Sequence, residues 1–408
     1  MLKVNVIGLG YIGLPTALIL AAHGVDVTGT DHNAGVIENL KSDRISFEED
    51  GLPDIFTRAK ECGIRFATGV VEADVYIIAV PTPYDKISKK IDPSLVAAAV
   101  DNVLDACSEG AVIVIESTVS PGTIDKFIRP AIKKKGFAIG RDIELVHAPE
   151  RIIPGNMLHE LVHNPRVIGA DNIEAGLRIK DLYSIFCEGE IVITSIRTAE
   201  MVKVVENTYR DINIAFANEL AIVCRSDNMN VYDIIKIANM HPRVNILQPG
   251  PGVGGHCIAV DPWFLVGDYP GLANIILAAR RINDSMPEFV LKRVCEIMKE
   301  KSMKDLTRIG LYGLTYKENI DDVRESPTLQ LLDKMEKHLA PVLKTYDPYV
   351  RADIVENQYH DLDAFLDAID LIVIMVAHDE IRDNIDKLEG KTILDTKNIF
   401  NKKGVYKL

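Results

Sequence analysis

Lys3-Val4-Asn5-Val6-Ile7-Gly8-Leu9-Gly10-Tyr11-Ile12-Gly13 joins a short apolar run to glycines spaced Gly-x-Gly-x-x-Gly. The run predicts a buried strand. Behind it, Pro15-Thr16-Ala17-Leu18-Ile19-Leu20-Ala21-Ala22 predicts a helix that Gly24 stops. Val25-Asp26-Val27-Thr28-Gly29-Thr30 predicts a second strand, closing on Asp31. In a strand-turn-helix setting Gly8 permits the tight turn, Gly10 lets the backbone approach a pyrophosphate, and Gly13 lets the helix pack closely. The glycines alone also suit a turn in an unrelated α/β fold. Asp31 adds weight, because an acid about 20 residues past the fingerprint bonds adenosine ribose hydroxyls and repels a 2′-phosphate. The stretch predicts a dinucleotide site that takes NAD rather than NADP.

Working outward, Val75-Tyr76-Ile77-Ile78-Ala79-Val80 and Ala111-Val112-Ile113-Val114-Ile115 predict further strands, with a helical pattern from Ser94 to Ala106 between them. Such alternation predicts a doubly wound parallel sheet. From Thr198 to about Arg225 the pattern is helical without glycine or proline, and Val231 to Met240 predicts a helix that His241-Pro242 stops. A glycine- and proline-rich loop follows, Gln248-Pro249-Gly250-Pro251-Gly252-Val253-Gly254-Gly255. Helix resumes from about Leu272 to Asn283 and again from Pro287. Beyond Lys304 strands are predicted at Arg308 to Leu314, Leu371 to Val376 and Thr392 to Asp395. The expected fold is α/β, two Rossmann-like doubly wound parallel-sheet domains joined by a helical central domain. Its expected segments are 1–195, 196–300 and 301–408.

A chain of 408 residues suits two or three domains of about 100–200 residues each. Its 47% apolar and 26% charged composition excludes wholesale disorder. Lys plus Arg total 46 against 59 Asp plus Glu, a net charge of −13, so no global basic field is present for nucleic acid. A small anion remains open, since helix N-termini and a few basic side chains bind phosphate locally. No apolar run reaches the roughly 18 residues of a membrane-spanning helix. The first residues run into glycines rather than into a signal-peptide pattern. A cytoplasmic protein without nucleic-acid or membrane partners is expected. Cys62, Cys107, Cys187, Cys224, Cys257 and Cys295 form no C-x-x-C pair, which excludes zinc-ribbon and thioredoxin readings and leaves reduced thiols and no metal site.

Several turns carry candidate chemistry. Val80-Pro81-Thr82-Pro83 and Glu116-Ser117-Thr118-Val119-Ser120-Pro121-Gly122-Thr123 fall at strand ends, where open α/β sheets bind ligands. Thr82 and Thr118 there either face a cofactor or cap the next helix. Ala148-Pro149-Glu150-Arg151-Ile152-Ile153-Pro154-Gly155 sets a carboxylate beside a guanidinium. Lys203, Asn207 and Arg210 line one helix face, as a solvated edge or as a site. In Gly254-Gly255-His256-Cys257-Ile258-Ala259-Val260-Asp261-Pro262 a cysteine after paired glycines has an open approach, and Asp261 could order a lysine or a water. A buried cysteine packs as a small hydrophobe, whereas a nearby ammonium such as Lys203 would lower the thiol from about 8.5. The other five cysteines lie in helical or apolar stretches, so Cys257 is the candidate nucleophile. The loop from Gly313 to Pro327 carries Lys317 and Arg324, for phosphate binding or for salt bridges to Asp321 and Asp322.

Together, Gly8-Leu9-Gly10-Tyr11-Ile12-Gly13-Leu14-Pro15, Glu150-Arg151, Lys203-x-x-x-Asn207, Gly254-Gly255-His256-Cys257 with Asp261, and the Lys317 to Pro327 segment resemble the UDP-glucose/UDP-N-acetylmannosamine dehydrogenase family. The resemblance covers essentially the whole chain. Within the family, His241-Pro242-Arg243-Val244-Asn245 and Cys257-Ile258-Ala259-Val260-Asp261-Pro262-Trp263-Phe264 resemble the UDP-N-acetyl-D-mannosamine branch. His256 and Ala259-Val260 depart from the UDP-glucose branch, which has a tyrosine before the cysteine and a proline-lysine pair after it. The UDP-N-acetylglucosamine branch, with Ile-Pro-Ile-Asp-Pro there, is closer.

The resemblance implies an NAD-dependent four-electron oxidation of a UDP-N-acetylhexosamine at C6, from alcohol through aldehyde and thioester to carboxylate, making an aminouronic acid for a surface polysaccharide. Cys257 would capture the aldehyde. Lys203 would serve the C6 oxygen as acid/base and, with Asn207, stabilise the oxyanion. Asp261 would position Lys203 and the hydrolytic water, which Glu150 and Thr118 also hold. Arg151, Ile152, Arg210, His241, Arg243, Gly254, Tyr316 and Lys317 would bind the UDP-sugar. Tyr11, Ile12, Asp31, Thr82, Thr118 and Arg324 would contact NAD. The helical middle would form a homodimer or a dimer of dimers, with Arg243 reaching the neighbouring subunit's site. Domain closure would bring C6 to the nicotinamide and exclude water. Two other classes share the N-terminal fold: a two-electron hydroxyacid or sugar-acid dehydrogenase, which needs no cysteine, and a non-enzymatic cofactor sensor.

Overall fold

The computed structural model describes residues 2–47, 49–153, 155–337, 342–402 and 404–408; Pro154 of the Glu150 turn lies outside the described residues. Two compact units divide after Glu206, within the helix Ile196–Ser226.

In the first unit, β1 (Lys3–Ile7), β2 (Asp26–Thr30), β3 (Arg65–Ala67), β4 (Val75–Ile78), β5 (Ala111–Ile115), β6 (Ile143–His147), β7 (Arg166–Ala170) and β8 (Ile191–Thr194) form one sheet. Their order is β3-β2-β1-β4-β5-β6-β7-β8. Alternate residues of a strand point to opposite faces, and both faces are buried. Val75, Ile77, Val112 and Val114 join the core of Leu14 and Leu18 on the helix Gly13–Ala22. Tyr76, Ile78, Ile113 and Ile115 join Val96, Val100 and Ile128 on the other side. Two-sided burial explains why these strands read as unbroken Val/Ile runs.

The expected doubly wound parallel sheet is present, with one antiparallel pairing within it: β7 pairs antiparallel with β6 and parallel with β8. A five-residue strand is about 17 Å long. The one helix between β6 and β7, Met157–His163, has seven residues and spans only about 10 Å. Helix length alone does not set the direction, since in the second unit β10 and β11, and β13 and β14, pair parallel with no helix between them among the described residues.

The second unit holds β9 (Ile309–Tyr312), β10 (Lys344–Tyr346), β11 (Gln358–Tyr359), β12 (Leu371–Ile374), β13 (Thr392–Asp395) and β14 (Tyr406–Lys407). They pair in the order β11-β10-β9-β12-β13-β14, parallel throughout. Tyr312, Ile372 and Ile374 face Phe365 and Ile381. Ile309, Leu311, Leu371 and Val373 share a single core with Ala217, Ala221, Ile235, Met286, Val290 and Val294. The helical middle from Asn207 onward thus supplies one covering layer of this sheet.

Two local expectations are corrected here. Proline at 287 does not restart a helix, because Asn274–Glu300 runs through it as one element. Proline in a helix interior costs about 3 kcal/mol. Met286, Val290, Val294 and Ile297 of that helix are fully buried, each worth roughly 1.5–3 kcal/mol, and their burial prevails. The segment after Cys257 is also more ordered than a loop: Asp261–Asp268 is a helix with Pro262 in its first turn, where a missing N–H costs nothing. Among the described residues no helix is long and apolar enough to cross a membrane.

Gly310 of β9 is where the sheet tolerates no side chain, since an added Cβ would lie 2.5 Å from Phe365 Cζ and 2.8 Å from Ile369 Cδ1. Gly310→Ala is expected to destabilise the second unit by about 1–3 kcal/mol, read as a lower urea midpoint.

Candidate active site

The glycine turn leaves β1 and feeds the helix Gly13–Ala22, which has no side-chain N-cap. A Cβ on Gly8, held at φ +90°, would meet Ala79 O at 2.6 Å, and one on Gly13 would meet Gly8 O at 1.9 Å. Gly10 differs, with nothing within 4 Å of its added Cβ. Two glycines therefore serve packing while Gly10 bares its backbone to open space, the cradle a pyrophosphate needs. Asp31 is tied to this turn: its Oδ2 accepts from Leu9 N–H and its Oδ1 from Asn33 N–H, both at 2.9 Å. Tyr11 stacks on Phe47 with centroids 4.3 Å apart, and Ile12 immediately precedes the helix.

Thr82 is buried and Thr118 half-buried, in the turns that follow the adjacent strands β4 and β5. Ser117 joins these turns by donating to Val80 O at 2.7 Å. Glu200 accepts from the backbone of Gly122 and Ile124 and so fixes the Thr118 turn. Neither joining residue stood out in sequence, because each bonds to backbone far along the chain.

Glu150 sits in a buried polar cluster. Its Oε1 accepts from Arg151 N–H and its Oε2 from Arg166, both at 2.6 Å. Arg166 also lies 3.9 Å from Glu116, which accepts from Tyr183 at 3.0 Å and Thr16 at 3.3 Å. Arg166 was missed by sequence reasoning, and Glu116, though it opens the Thr118 turn, was given no role, since neither residue's local sequence shows that the two meet. One guanidinium faces two carboxylates. Burial, reinforced by the Glu150 charge, pushes Glu116 up to about 8, so Glu116 holds a proton at neutral pH. Arg151 pairs with Glu206, and Ile152 is buried.

Lys203 and Asn207 are buried, one helical turn apart, while Arg210 is exposed. The solvated-edge alternative describes Arg210 alone. In the second unit Asn207 donates to Asp261 at 2.6 Å, and Asp261 N–H donates to Cys257 O at 2.8 Å. Cys257 is exposed, unlike Cys187 and Cys224. Its loop is pressed onto the other sequence motif: a Cβ on Gly254 would lie 2.6 Å from both Glu325 O and Tyr316 Cβ, and one on Gly255 would lie 2.8 Å from the Tyr316 ring. Gly255 N–H donates to Arg324 O at 2.9 Å. Arg324 itself grips both oxygens of Asp322, at 2.6–3.0 Å, the salt bridge that the sequence offered as an alternative. Burial and the Arg324 charge push His256 below its ordinary value, which keeps a neutral imidazole beside Cys257.

Asn218 holds the glycine-proline loop by accepting from Gly250 N–H at 2.9 Å and donating to Asn283 at 2.8 Å. Lys397, which no motif flagged, brings its Nζ to 3.8 Å from the Cβ position of Gly250. Lys317 is half-buried, whereas His241 and Arg243 stay exposed on their loop. Among the described residues no cluster of three or more metal-ligating side chains occurs.

Two predictions follow from this geometry. Gly10→Ala should leave the melting temperature within about a degree, as its methyl meets nothing, yet weaken NAD binding about tenfold or more by blocking the cradle; fluorescence titration with NADH checks it. Glu116 binds its proton more tightly folded than unfolded, so its contribution to stability falls as pH rises from 4.5 toward about 8 and then levels. Glu116→Gln should therefore melt several degrees above the wild type at pH 8 and converge with it near pH 5. Equal melting curves at both pH values would contradict the assignment.

The NAD binding domain of the UDP-glucose/GDP-mannose dehydrogenase family matches residues 2–187, the central domain 197–285 and the UDP binding domain 310–402. A Methanococcus maripaludis protein named UDP-N-acetyl-D-mannosamine dehydrogenase is 45% identical over 98% of this chain and 93% of its own length. The structure of the UDP-N-acetyl-mannosamine dehydrogenase Cap5O from Staphylococcus aureus is 43% identical with a TM-score of 0.88, covering 99% of this chain and 98% of its own. The UDP-D-ManNAc dehydrogenase structure from Pyrococcus horikoshii is 35% identical with a TM-score of 0.92 and the same coverage. The open backbone at Gly10 and the acid closing β2 fit the NAD that the first matched domain binds. Fold, glycine geometry and three successive domain matches agree: the chain belongs to the UDP-glucose/GDP-mannose dehydrogenase family.

Proposed function

We propose that the chain oxidises UDP-N-acetyl-D-mannosamine at C6 to UDP-N-acetyl-D-mannosaminuronate. The observation that carries the chemistry is Cys257, an exposed thiol on a loop whose Gly254 and Gly255 admit no side chain against Tyr316. Cys62 and Cys295 are exposed as well, so the glycine loop pressed on Tyr316, rather than exposure, is what sets Cys257 apart. The likeness to proteins named for the mannosamine substrate supports the choice of sugar.

The Gly8–Gly13 turn would hold NAD, which would supply the hydride acceptor, one NAD for the alcohol-to-aldehyde step and a second for the thiohemiacetal-to-thioester step. Lys203 takes the proton from the C6 hydroxyl, and with Asn207 it stabilises the developing oxyanion. Cys257 Sγ adds to the aldehyde carbon, giving a thiohemiacetal that is oxidised to a thioester. Water, held by Asp261, Glu150 and Thr118, attacks the thioester carbon. The C–S bond breaks, and thiol and carboxylate are released. The Asn207–Asp261 bond supports this division of labour, because it orients both amide and carboxylate from one contact. Arg151, Ile152, Arg210, His241, Gly254, Tyr316 and Lys317 bind the UDP-sugar, and Arg324 helps hold NAD.

In this reading 1–195 carries NAD, 196–300 the central helices, and 301–408 the uridine diphosphate. The helix Ile196–Ser226 exposes Tyr209, Phe216 and Val223, an apolar stripe suited to a homodimer or a dimer of dimers, with Arg243 serving the neighbouring subunit's site. Six free cysteines suit a cytoplasmic enzyme.

The test is NADH formed per sugar, with the mannosamine and glucosamine UDP-sugars side by side. Two NADH on the mannosamine sugar are expected. Two on the glucosamine sugar alone would move the specificity, and one NADH with free aldehyde would remove Cys257 from the mechanism. Cys257→Ala should abolish uronate formation while NADH binding stays unchanged.

A further inference from the structure

The carboxyl ends of three adjacent parallel strands of the second unit meet at a buried imidazole. Asp347 follows β10, the loop Leu314 to Asn319 follows β9, and His378 follows β12, in the sheet order β10-β9-β12. His378, Asp347 and Thr315 are almost completely buried. Asp347 Oδ2 accepts from Leu314 N–H at 2.6 Å and Thr315 N–H at 3.1 Å, and lies 3.2 Å from His378 Nε2. Its Oδ1 accepts from Tyr349 N–H at 2.8 Å. His378 Nδ1 accepts from Asn319 N–H at 2.9 Å, so the ring proton resides on Nε2 and points to Asp347. Thr315 Oγ1 donates to Lys317 O at 2.9 Å. Asn319 sits at φ +60° and is clamped by Asp379, which accepts from its Nδ2 at 2.7 Å and donates N–H to its Oδ1 at 3.1 Å.

Of the four backbone N–H groups that donate to this pair, three belong to one loop, those of Leu314, Thr315 and Asn319, and the fourth, Tyr349, follows Asp347 itself. A pair kept for the core would bond the sheet or another side chain. Burial works to raise the Asp347 carboxyl, yet His378 and the backbone N–H donors hold it below the usual range, so an anion with fixed donors anchors the loop at its start. His378 anchors it at its end. Between the anchors lie Tyr316 and Lys317, and Tyr316 bears on Gly254 and Gly255 of the Cys257 loop.

We propose that His378 and Asp347 are positioning residues for the nucleotide-sugar, setting the course of the loop Leu314 to Asn319 and, through Tyr316, the seat of the Cys257 loop. The proposal rests on the assignment of Tyr316 and Lys317 to substrate binding made above. It separates the two ring nitrogens: Nδ1 holds the loop's far end, whereas Nε2 faces Asp347 at 3.2 Å and Thr315 Oγ1 at 3.3 Å, and Asp347 keeps its three backbone donors without it.

Three full-length variants test it. His378→Asn offers an amide oxygen near the Nδ1 position, His378→Gln offers an amide near Nε2, and His378→Ala offers neither. Calorimetric titration with UDP, KM for the UDP-sugar, KM for NAD and the melting temperature are measured for each. His378→Ala and His378→Gln are expected to lose about tenfold in UDP affinity and to raise the sugar KM equally. His378→Asn should stay within about threefold of the wild type, and the NAD KM should not move in any variant. Should His378→Ala fail to fold, the contrast between Asn and Gln decides. Equal UDP affinity in those two, or sugar and NAD constants that rise together, would overturn the proposal. A wild type that does not bind UDP would instead remove the substrate assignment on which it rests.

Discussion

Two-sided burial of the central strands constrains everything else in this chain. Val75–Ile78, Ala111–Ile115 and Leu371–Ile374 are buried at every position. Strands of this kind carry a polar group along their length only where a partner satisfies it, as Ala73 N–H does for the Tyr76 hydroxyl and Thr28 O for the Asn5 amide, because an unpaired buried polar group costs several kcal/mol. Chemistry is left to the strand ends, where the backbone leaves the sheet and its N–H groups become available. Gly8 follows β1, Asp31 β2, Thr82 β4, Thr118 β5 and Glu150 β6. In the second unit the loop bearing Tyr316 and Lys317 follows β9, flanked by Asp347 after β10 and His378 after β12. One constraint thus sorts the chain into a silent interior and an articulate edge.

Where charge is nonetheless buried, each unit settles it differently. The first sets two carboxyl groups around Arg166, whose cation burial disfavours and the Glu150 carboxylate restores, leaving one proton on Glu116. The second gives Asp347 three N–H donors from backbone and the Nε2 of an imidazole. Both arrangements end on backbone of a loop that carries candidate ligands, so each trades hydrogen-bond strength for the placement of a turn.

The sheet cores were legible because the signal was local and repetitive. β1, β5 and β13 begin and end where the apolar runs do, and the helix Ile196–Ser226 extends only slightly beyond the uninterrupted pattern. β3, β10, β11 and β14 were not legible, being two or three residues long and held by a neighbour rather than by their own hydrophobicity; β6, β7 and β8 were not read either, as polar residues such as Glu144, His147 and Arg166 interrupt their apolar runs. Pro287 misled because its local penalty is fixed, whereas the burial that overrides it comes from residues far along the chain. Asp261 and Cys257 were recognisable from their glycine context. Arg166, Glu200, Asp347 and His378 were not, since nothing in an isolated Arg, Glu, Asp or His says which distant backbone it will meet.

The amino-acid order by itself determined the α/β alternation, the NAD-type glycine turn with its acid and the helical middle, and it offered the Gly-Gly-His-Cys stretch as a candidate, all of which depend on spacing within about twenty residues. Only the tertiary structure decided that β7 runs against β6, that the central helices share a core with the second sheet, and that the Cys257 loop rests on Tyr316. Those outcomes are set by which surfaces can be buried together. Burial pairs residues by shape and distance in space, and sequence separation carries no record of either.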